Sequence, residues 1–193
     1  IETEATWVDI VFPRDILTLN AAALRTLPGS TGGTIEAGVR LKGNVIIGRD
    51  TIIRAGTTID GPAVIGAGCD IGPQACILPA TTIGDNVVVS PFSVIENCVI
   101  GPDVCIGPGS SLSHSVIGQG CSLKGRFTAL GEAGCASEGE GQADGLATGV
   151  IMGEDCEVDI NVTAEPGTVV GNNCRVRIGR HLSGSLPDRS LVC

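Results

Sequence analysis

Two histidines stand out in a chain whose charges are mostly acidic. His114 and His181 are the only imidazoles in 193 residues. An imidazole is the side chain best suited to take and return a proton near neutral pH. Cations are the second resource. Lys124, Arg126, Arg175, Arg177 and Arg180 all lie beyond residue 123, in a chain of net charge −9. Guanidinium groups gathered in so acidic a protein suit a bound phosphate or diphosphate. The same charges also suit a plain soluble surface. Metal and thiol chemistry have little support. Three histidines would be needed for a three-imidazole zinc site and only two exist; the nine cysteines include no C-x-x-C pair. The cysteines read instead as small buried hydrophobes of a reducing cytoplasm. The glycine-rich stretches Gly66-Ala-Gly68 and Gly107-Pro-Gly109 are not phosphate loops, because no helix follows them.

What positions these groups is a repeat. From Ile35 an aliphatic residue recurs every six positions: Ile35, Leu41, Ile47, Ile53, Ile59, Ile65, Ile71, Ile77, Ile83, Val89 and Ile95. The series continues through Ile100, Ile106, Leu112, Ile117 and Leu123, with two units shortened to five residues. It resumes at Met152, Val158, Ala164, Val170, Val176 and Leu182. The fifth residue of each early unit is small or β-branched, from Val39 and Val45 to Ser93 and Val99. Glycines at 48, 66 and 84 mark a longer period of 18, which Gly101 and Gly118 continue at 17. Three hexads therefore make one turn. The expected object is an all-β triangular prism of about seven stacked coils, each ~4.8 Å above the last. Cys69, Cys121, Cys156 and Cys174 fall on one column of fifth positions and should stack inward.

Aromatics are only 2% of the chain, so the interior must be built from Ile, Val, Leu, Ala and Cys. The acidic balance argues against nucleic acid or an anionic membrane as partner. No run of 18 apolar residues exists. Two segments stand apart from the prism. Pro13 to Leu27 predicts one helix of three to four turns, and residues 29–34, GSTGGT, read as a linker, so residues 1–34 precede a prism spanning 35–193. Residues 129–149, with four acids and no base, predict a long excursion. Ile1 in place of Met gives the sequence the look of a piece of something longer.

The six-residue rule at 35–127 and 152–187 resembles the hexapeptide-repeat family, whose fold is the left-handed parallel β-helix. The hand comes from the resemblance, not from the period. Family members are mostly acyltransferases using acyl-CoA, and they usually form trimers. A second resemblance lies at the amino-terminal end. Trp7-Val8-Asp9-Ile10, followed by Pro13, Asp15, Leu17 and Asn20, is similar to the close of a sugar-1-phosphate nucleotidyltransferase domain. Gly149-Val-Ile-Met-Gly-Glu-Asp-Cys, Asp159-Ile-Asn-Val-Thr and Pro166-Gly167 are similar to the last coils of long, archaeal-type members.

The resemblance implies the β-helix portion of a cytoplasmic glucose-1-phosphate thymidylyltransferase-like or N-acetylglucosamine-1-phosphate uridylyltransferase-like enzyme. A sugar phosphate and a nucleotide would be its small-molecule substrates. Asp9 would match a carboxylate that helps hold Mg²⁺. His114 would be the base of an acetyl transfer from acetyl-CoA. Lys124 and Arg126 would meet a sugar phosphate, and Arg175, Arg177 and Arg180 the cofactor diphosphate. The related acetyltransferases carry Pro-His-Leu before the dipeptide matched by Ile117-Gly118, where this chain has Pro108-Gly-Ser. Their later Asn-Leu-Arg element is missing after Thr128. Three readings follow: an assembly and regulatory module, expected as a homotrimer, an acyltransferase on an amino sugar phosphate, or a structural prism.

Overall fold

The corners dictate the architecture. Each coil turns three times, and at most turns one residue adopts a left-handed backbone: Asp50, Asn86, Asn97, Asp103, His114, Asp155, Asn161 and Asn173 all have φ between 45° and 58°. Asn and Asp tolerate that region best among residues with a Cβ. Between turns lie strands of two or three residues, too short for any structure but a stack. The computed structural model describes residues 15–131 and 148–193. Its 26 strands form three parallel sheets, here faces A, B and C, with nine, nine and eight strands. Every strand pairs with the equivalent strand one coil away. On face A, for example, Ile47 lies beside Ile65 and Ile83 beside Ile100.

The stack holds between eight and nine coils, slightly more than the seven expected. The extra strands sit at the ends. Ser30–Thr31, inside the stretch read as a linker, pairs with Ile46 and Ile47. Ser185–Leu186 and Leu191–Val192 complete the far end. Thr31 occupies the aliphatic register of face A in the first coil, so the aliphatic series begins only at Ile35.

Inside, the hexad aliphatics form one continuous core. Ile53, Ile59, Ile71, Ile77, Val89, Ile95, Ile106, Leu123 and Val158 have no exposed surface. Burying each such side chain contributes about 1.5–3 kcal/mol. The cysteine column is present as expected. Cys69, Cys121 and Cys156 each aim the thiol at a corner carbonyl, Gly84, Gly153 and Gly171 respectively, at 3.1 Å. Thr51 makes the same contact to the Gly66 carbonyl at 2.6 Å. Small donors thus satisfy corner carbonyls that the ladder leaves unused. The corner glycines answer a different need. A Cβ on Gly48 would lie 2.5 Å from the Gly66 carbonyl carbon, so the coils approach too closely for any side chain.

One α-helix, α1 (Asp15–Leu24), is shorter than the expected segment. Leu17 and Leu24 are buried, and with Asn20 they mark one helical face. Asn20 donates to the Ala80 carbonyl at 2.8 Å and accepts from the Thr82 hydroxyl at 2.6 Å. α1 is therefore fastened to face A over residues 81–83 and 99–100. No helix among the described residues is long and apolar enough to cross a membrane.

Candidate functional site

Corner lengths locate the unusual region. From face B to C successive interior residues are six apart, and so are those from face A to B beyond the first coil, where Thr31 and Ile35 are four apart; Ile47–Ile53–Ile59 and Ile117–Leu123–Ala129 are examples. From C to A the spacing changes. It is six at Ile77–Ile83 and five at Ile95–Ile100 and Leu112–Ile117. Between Ala129 and Met152 the spacing is twenty-three, with residues 132–147 outside those described, and from Leu182 to Leu186 it is four.

His114 sits on this edge, directly beneath the excursion. Its backbone N–H donates to the Glu96 carbonyl in the coil below, and its carbonyl accepts from Gly149 in the coil above at 2.8 Å. Both ends of the excursion are pinned on the residues around it. Gly131 donates to the Ser113 hydroxyl at 3.0 Å, and Val150 donates to the Ser115 hydroxyl at 3.0 Å. Thr128–Ala129 is a regular strand, and most of the excursion expected at 129–149 lies outside the described residues, which stop at Gly131 and resume at Thr148.

The His114 ring has a buried Nδ1 with no hydrogen-bond partner among the described residues. Such a vacancy costs about 1–3 kcal/mol, and a bound ligand's donor would relieve it. His181 is the contrast. Its Nε2 meets the Glu165 carboxylate at 2.8 Å and its Nδ1 meets the Thr163 hydroxyl at 2.8 Å. Both nitrogens are occupied on an exposed part of face C.

The cations divide among three places. On face B, Lys124 pairs with Asp159 at 2.7 Å, and Arg177 reaches the other Asp159 oxygen at 3.9 Å. The Lys124 hydrogen bond holds the Asp159 carboxyl below the usual range. Arg175 lies 3.6 Å from Glu157. Arg175, Arg177 and Arg189 line a cavity of about 420 Å³ with Asp155, Glu157 and Asn173. Arg189 was invisible to sequence reasoning, because it enters from the last coil, where the hexad period fails. Arg126 stands on the B–C corner with φ 50°, and Arg180 immediately precedes the last strand of face C, His181–Leu182; neither lines that cavity. One prism therefore gathers Lys124, Arg175 and Arg177 but does not bring them to His114. Asp9 lies outside the described residues, and no cluster of three or more metal-ligating side chains occurs among those described.

Three parallel sheets wound from hexads define the class: this is a left-handed parallel β-helix. LpxA from Acinetobacter baumannii shares that fold, with a TM-score of 0.64 at 13% identity, over 85% of this chain and 66% of that one. More specifically, residues 59–133 match the GMPPB C-terminal domain family. The chain is 30% identical over 187 residues to a bifunctional sugar-1-phosphate nucleotidylyltransferase/acetyltransferase of Sulfurisphaera tokodaii, covering 93% of this chain and 47% of that protein. It is 30% identical over 126 residues to mannose-1-phosphate guanylyltransferase 1 of Arabidopsis thaliana, covering 65% and 31% respectively. The chain is thus a homologue, over most of its length, of bifunctional sugar-1-phosphate nucleotidyltransferase/acetyltransferases, and it spans less than half of their length.

Proposed function

We propose that this chain is the β-helix portion of a sugar-1-phosphate nucleotidyltransferase of nucleotide-sugar synthesis, and that it transfers an acetyl group from acetyl-CoA to an amino sugar phosphate. The observation that carries the reading is the bare, buried Nδ1 of His114 in a homologue of nucleotidyltransferase/acetyltransferases. In the proposed reaction His114 takes the proton released as the acceptor amine attacks the thioester carbonyl. The C–N bond forms, the C–S bond breaks, and the proton passes on to the departing thiolate. The imidazole must be neutral to act as this base.

Acetyl-CoA supplies the activated thioester. Arg175, Arg177 and Arg189, which outnumber the two acids lining the same cavity, are suited to its phosphates. Lys124 is drawn toward Asp159, and it and Arg126 are assigned to the sugar phosphate. Arg180 is the outlying member of the cofactor set. Because these cations and His114 occupy different sides of one prism, the reading calls for a homotrimer in which neighbouring copies complete a site. Nucleotidyl transfer, with Asp9 among the Mg²⁺ ligands, belongs to the longer parent protein.

Thiol release from acetyl-CoA with glucosamine-1-phosphate or galactosamine-1-phosphate tests this. His114→Asn, which keeps a residue at home at φ 50°, should cost ~10²–10⁴ in rate with little change in melting temperature. Turnover unaffected by the substitution would remove His114 from the mechanism. A second reading, assembly without acetyl transfer, has the match to the GMPPB C-terminal domain in its favour. It predicts a light-scattering trimer with no thiol release at all.

A further inference from the structure

The unit that carries His114 has five residues, not six, and a serine stands on each side of the histidine. Elsewhere in the prism a hydroxyl bridges the turn. Ser110, Thr168 and Ser190 donate to the carbonyls of Gly107, Glu165 and Pro187 at 2.8, 2.7 and 2.6 Å, and each bridge encloses two residues. Ser115 makes the equivalent bond to the Ser113 carbonyl at 2.8 Å. Its shortened unit leaves one residue inside the bridge, His114. The Ser115 hydroxyl also accepts from the Val150 N–H at 3.0 Å, in the coil above. The Ser113 hydroxyl accepts from the Gly131 N–H at 3.0 Å. Gly149 closes the arrangement. Its N–H donates to the His114 carbonyl at 2.8 Å, and a Cβ there would lie 2.3 Å from both the Ser115 hydroxyl and the Ser113 carbonyl oxygen. Ser115 has no exposed surface.

We infer that Ser115 is the positioning residue of His114, holding the imidazole where the acceptor's proton is released. This rests on the acetyl-transfer reading for what the imidazole does, but not for what holds it. Outside glycine, φ near 50° is sparsely occupied, so a histidine there needs its turn fixed by its surroundings. The direction in which a side chain leaves the backbone follows φ and ψ, and with it the set of rotamers open to the ring. A bridge around one residue sets that residue's backbone; a bridge around two leaves them room to rotate against each other. Ser115 therefore acts through the His114 backbone and touches no reacting atom. The two flanking hydroxyls also meet backbone groups instead of the imidazole, so neither occupies the bare Nδ1.

Two measurements on the whole chain in its native oligomer test this: thiol release from acetyl-CoA with glucosamine-1-phosphate, and ring-nitrogen NMR of both histidines without substrate. Ser115→Ala removes the bridge. It should lower kcat at least ~10-fold and leave KM within about twofold, as a displaced base does. It should also shift or broaden the His114 ring resonances and leave those of His181 unchanged. Ser115→Thr should restore both, because Thr51 and Thr168 fill the same position fully buried. Gly149→Ala presses on the bridge from the coil above and should reproduce the alanine result. Ser115→Cys, matching Cys98 one coil below, keeps the volume with a weaker donor and should fall between serine and alanine.

An unmoved His114 ring in Ser115→Ala would overturn the inference, whatever the rate. So would a raised KM at constant kcat, or a threonine variant as impaired as alanine. If Ser115→Ala fails to fold, Ser115→Cys decides: a His114 ring identical to wild type overturns the inference. If the wild type releases no thiol, acetyl transfer is rejected. A His114 ring displaced in Ser115→Ala then leaves the positioning role standing, and an unmoved ring removes it.

Discussion

Two edges of the prism and the third are built under different rules. At the A–B and B–C edges every interior residue from Ile35 onward is six positions from the next; the one exception is the first turn, Thr31 to Ile35, at four. At the C–A edge the count is six, five, twenty-three or four. The unpartnered buried atoms of Asn97 and His114 and the anchor point of α1 at Ala80 lie on this variable edge. Beyond the first coil the A–B edge holds the coils in register through close backbone contact at Gly48 and its equivalents, and its turns keep one length. The C–A edge is released from that duty, and its turns can be shortened or extended to shape a site. In the proposed reading His114 lies on the variable edge, whereas the cavity with Arg175, Arg177 and Arg189 lies on face B and the A–B edge.

The comparison can be broken most sharply by insertion. One glycine added between Asp50 and Thr51 shifts every following interior residue to the wrong side of its strand. The stack beyond should fail to form, seen as loss of the cooperative thermal transition. A normal transition would show that the A–B edge is as permissive as its neighbour. Gly48→Ala is the next largest effect. The new Cβ meets backbone at 2.5 Å, and a loss of about 3 kcal/mol in chemical denaturation is expected.

One glycine added between Asn97 and Cys98 restores a six-residue unit at the variable edge. It should cost less than about 1 kcal/mol of stability, read by the same denaturation. A large stability loss there would erase the distinction between the edges.

The smallest effect is electrostatic and belongs to the scaffold. Arg54 holds Asp70 with bonds of 2.8 and 2.6 Å and Glu36 at 3.3 Å, across the first coils of face B. The Arg54 hydrogen bond keeps the Asp70 carboxyl below its ordinary range. The folded value is depressed, so this stabilisation is complete above the unfolded pKa near ~3.9 and disappears as pH falls through the folded value. Wild type should melt slightly above Asp70→Asn at neutral pH, and the gap should close toward pH ~3. A gap that widened in acid would contradict the assignment.

The prism was readable because its core is periodic. A run of Ile from Ile47 to Ile83 cannot serve any other interior so regularly, and the thiols of Cys69 and Cys156 fell on the column that hides them. The ends were not readable. Thr31 fills an interior register with a residue typical of linkers, and Leu186 follows Leu182 by four, which breaks the count. The helix was visible but its purpose was not: Asn20 reads as a motif residue and proves to be a peg into Ala80 and Thr82. Of the site, His114 was a candidate by residue type alone, and Ser115 was not one. The signal that joins them was already in the sequence, since both lie in a unit one residue short. Arg189 offered no such signal, and Arg126 and Arg180 show that linear clustering of charge does not survive winding into three faces.

The thiol column gives this molecule a set of internal clocks. Cys69, Cys98, Cys121, Cys156 and Cys174 are sealed at successive heights of the stack, and burial pushes the Cys98 thiol up to about 12. A sealed thiol cannot meet an alkylating reagent until its own coil opens. Cys105 and Cys193 are exposed and react from the start. A solenoid's stability is a sum over neighbouring coils, so it can peel from an end instead of melting at once. Pulse alkylation followed by peptide mapping would date the opening of each level separately. The order of labelling would reveal the direction in which the prism unravels.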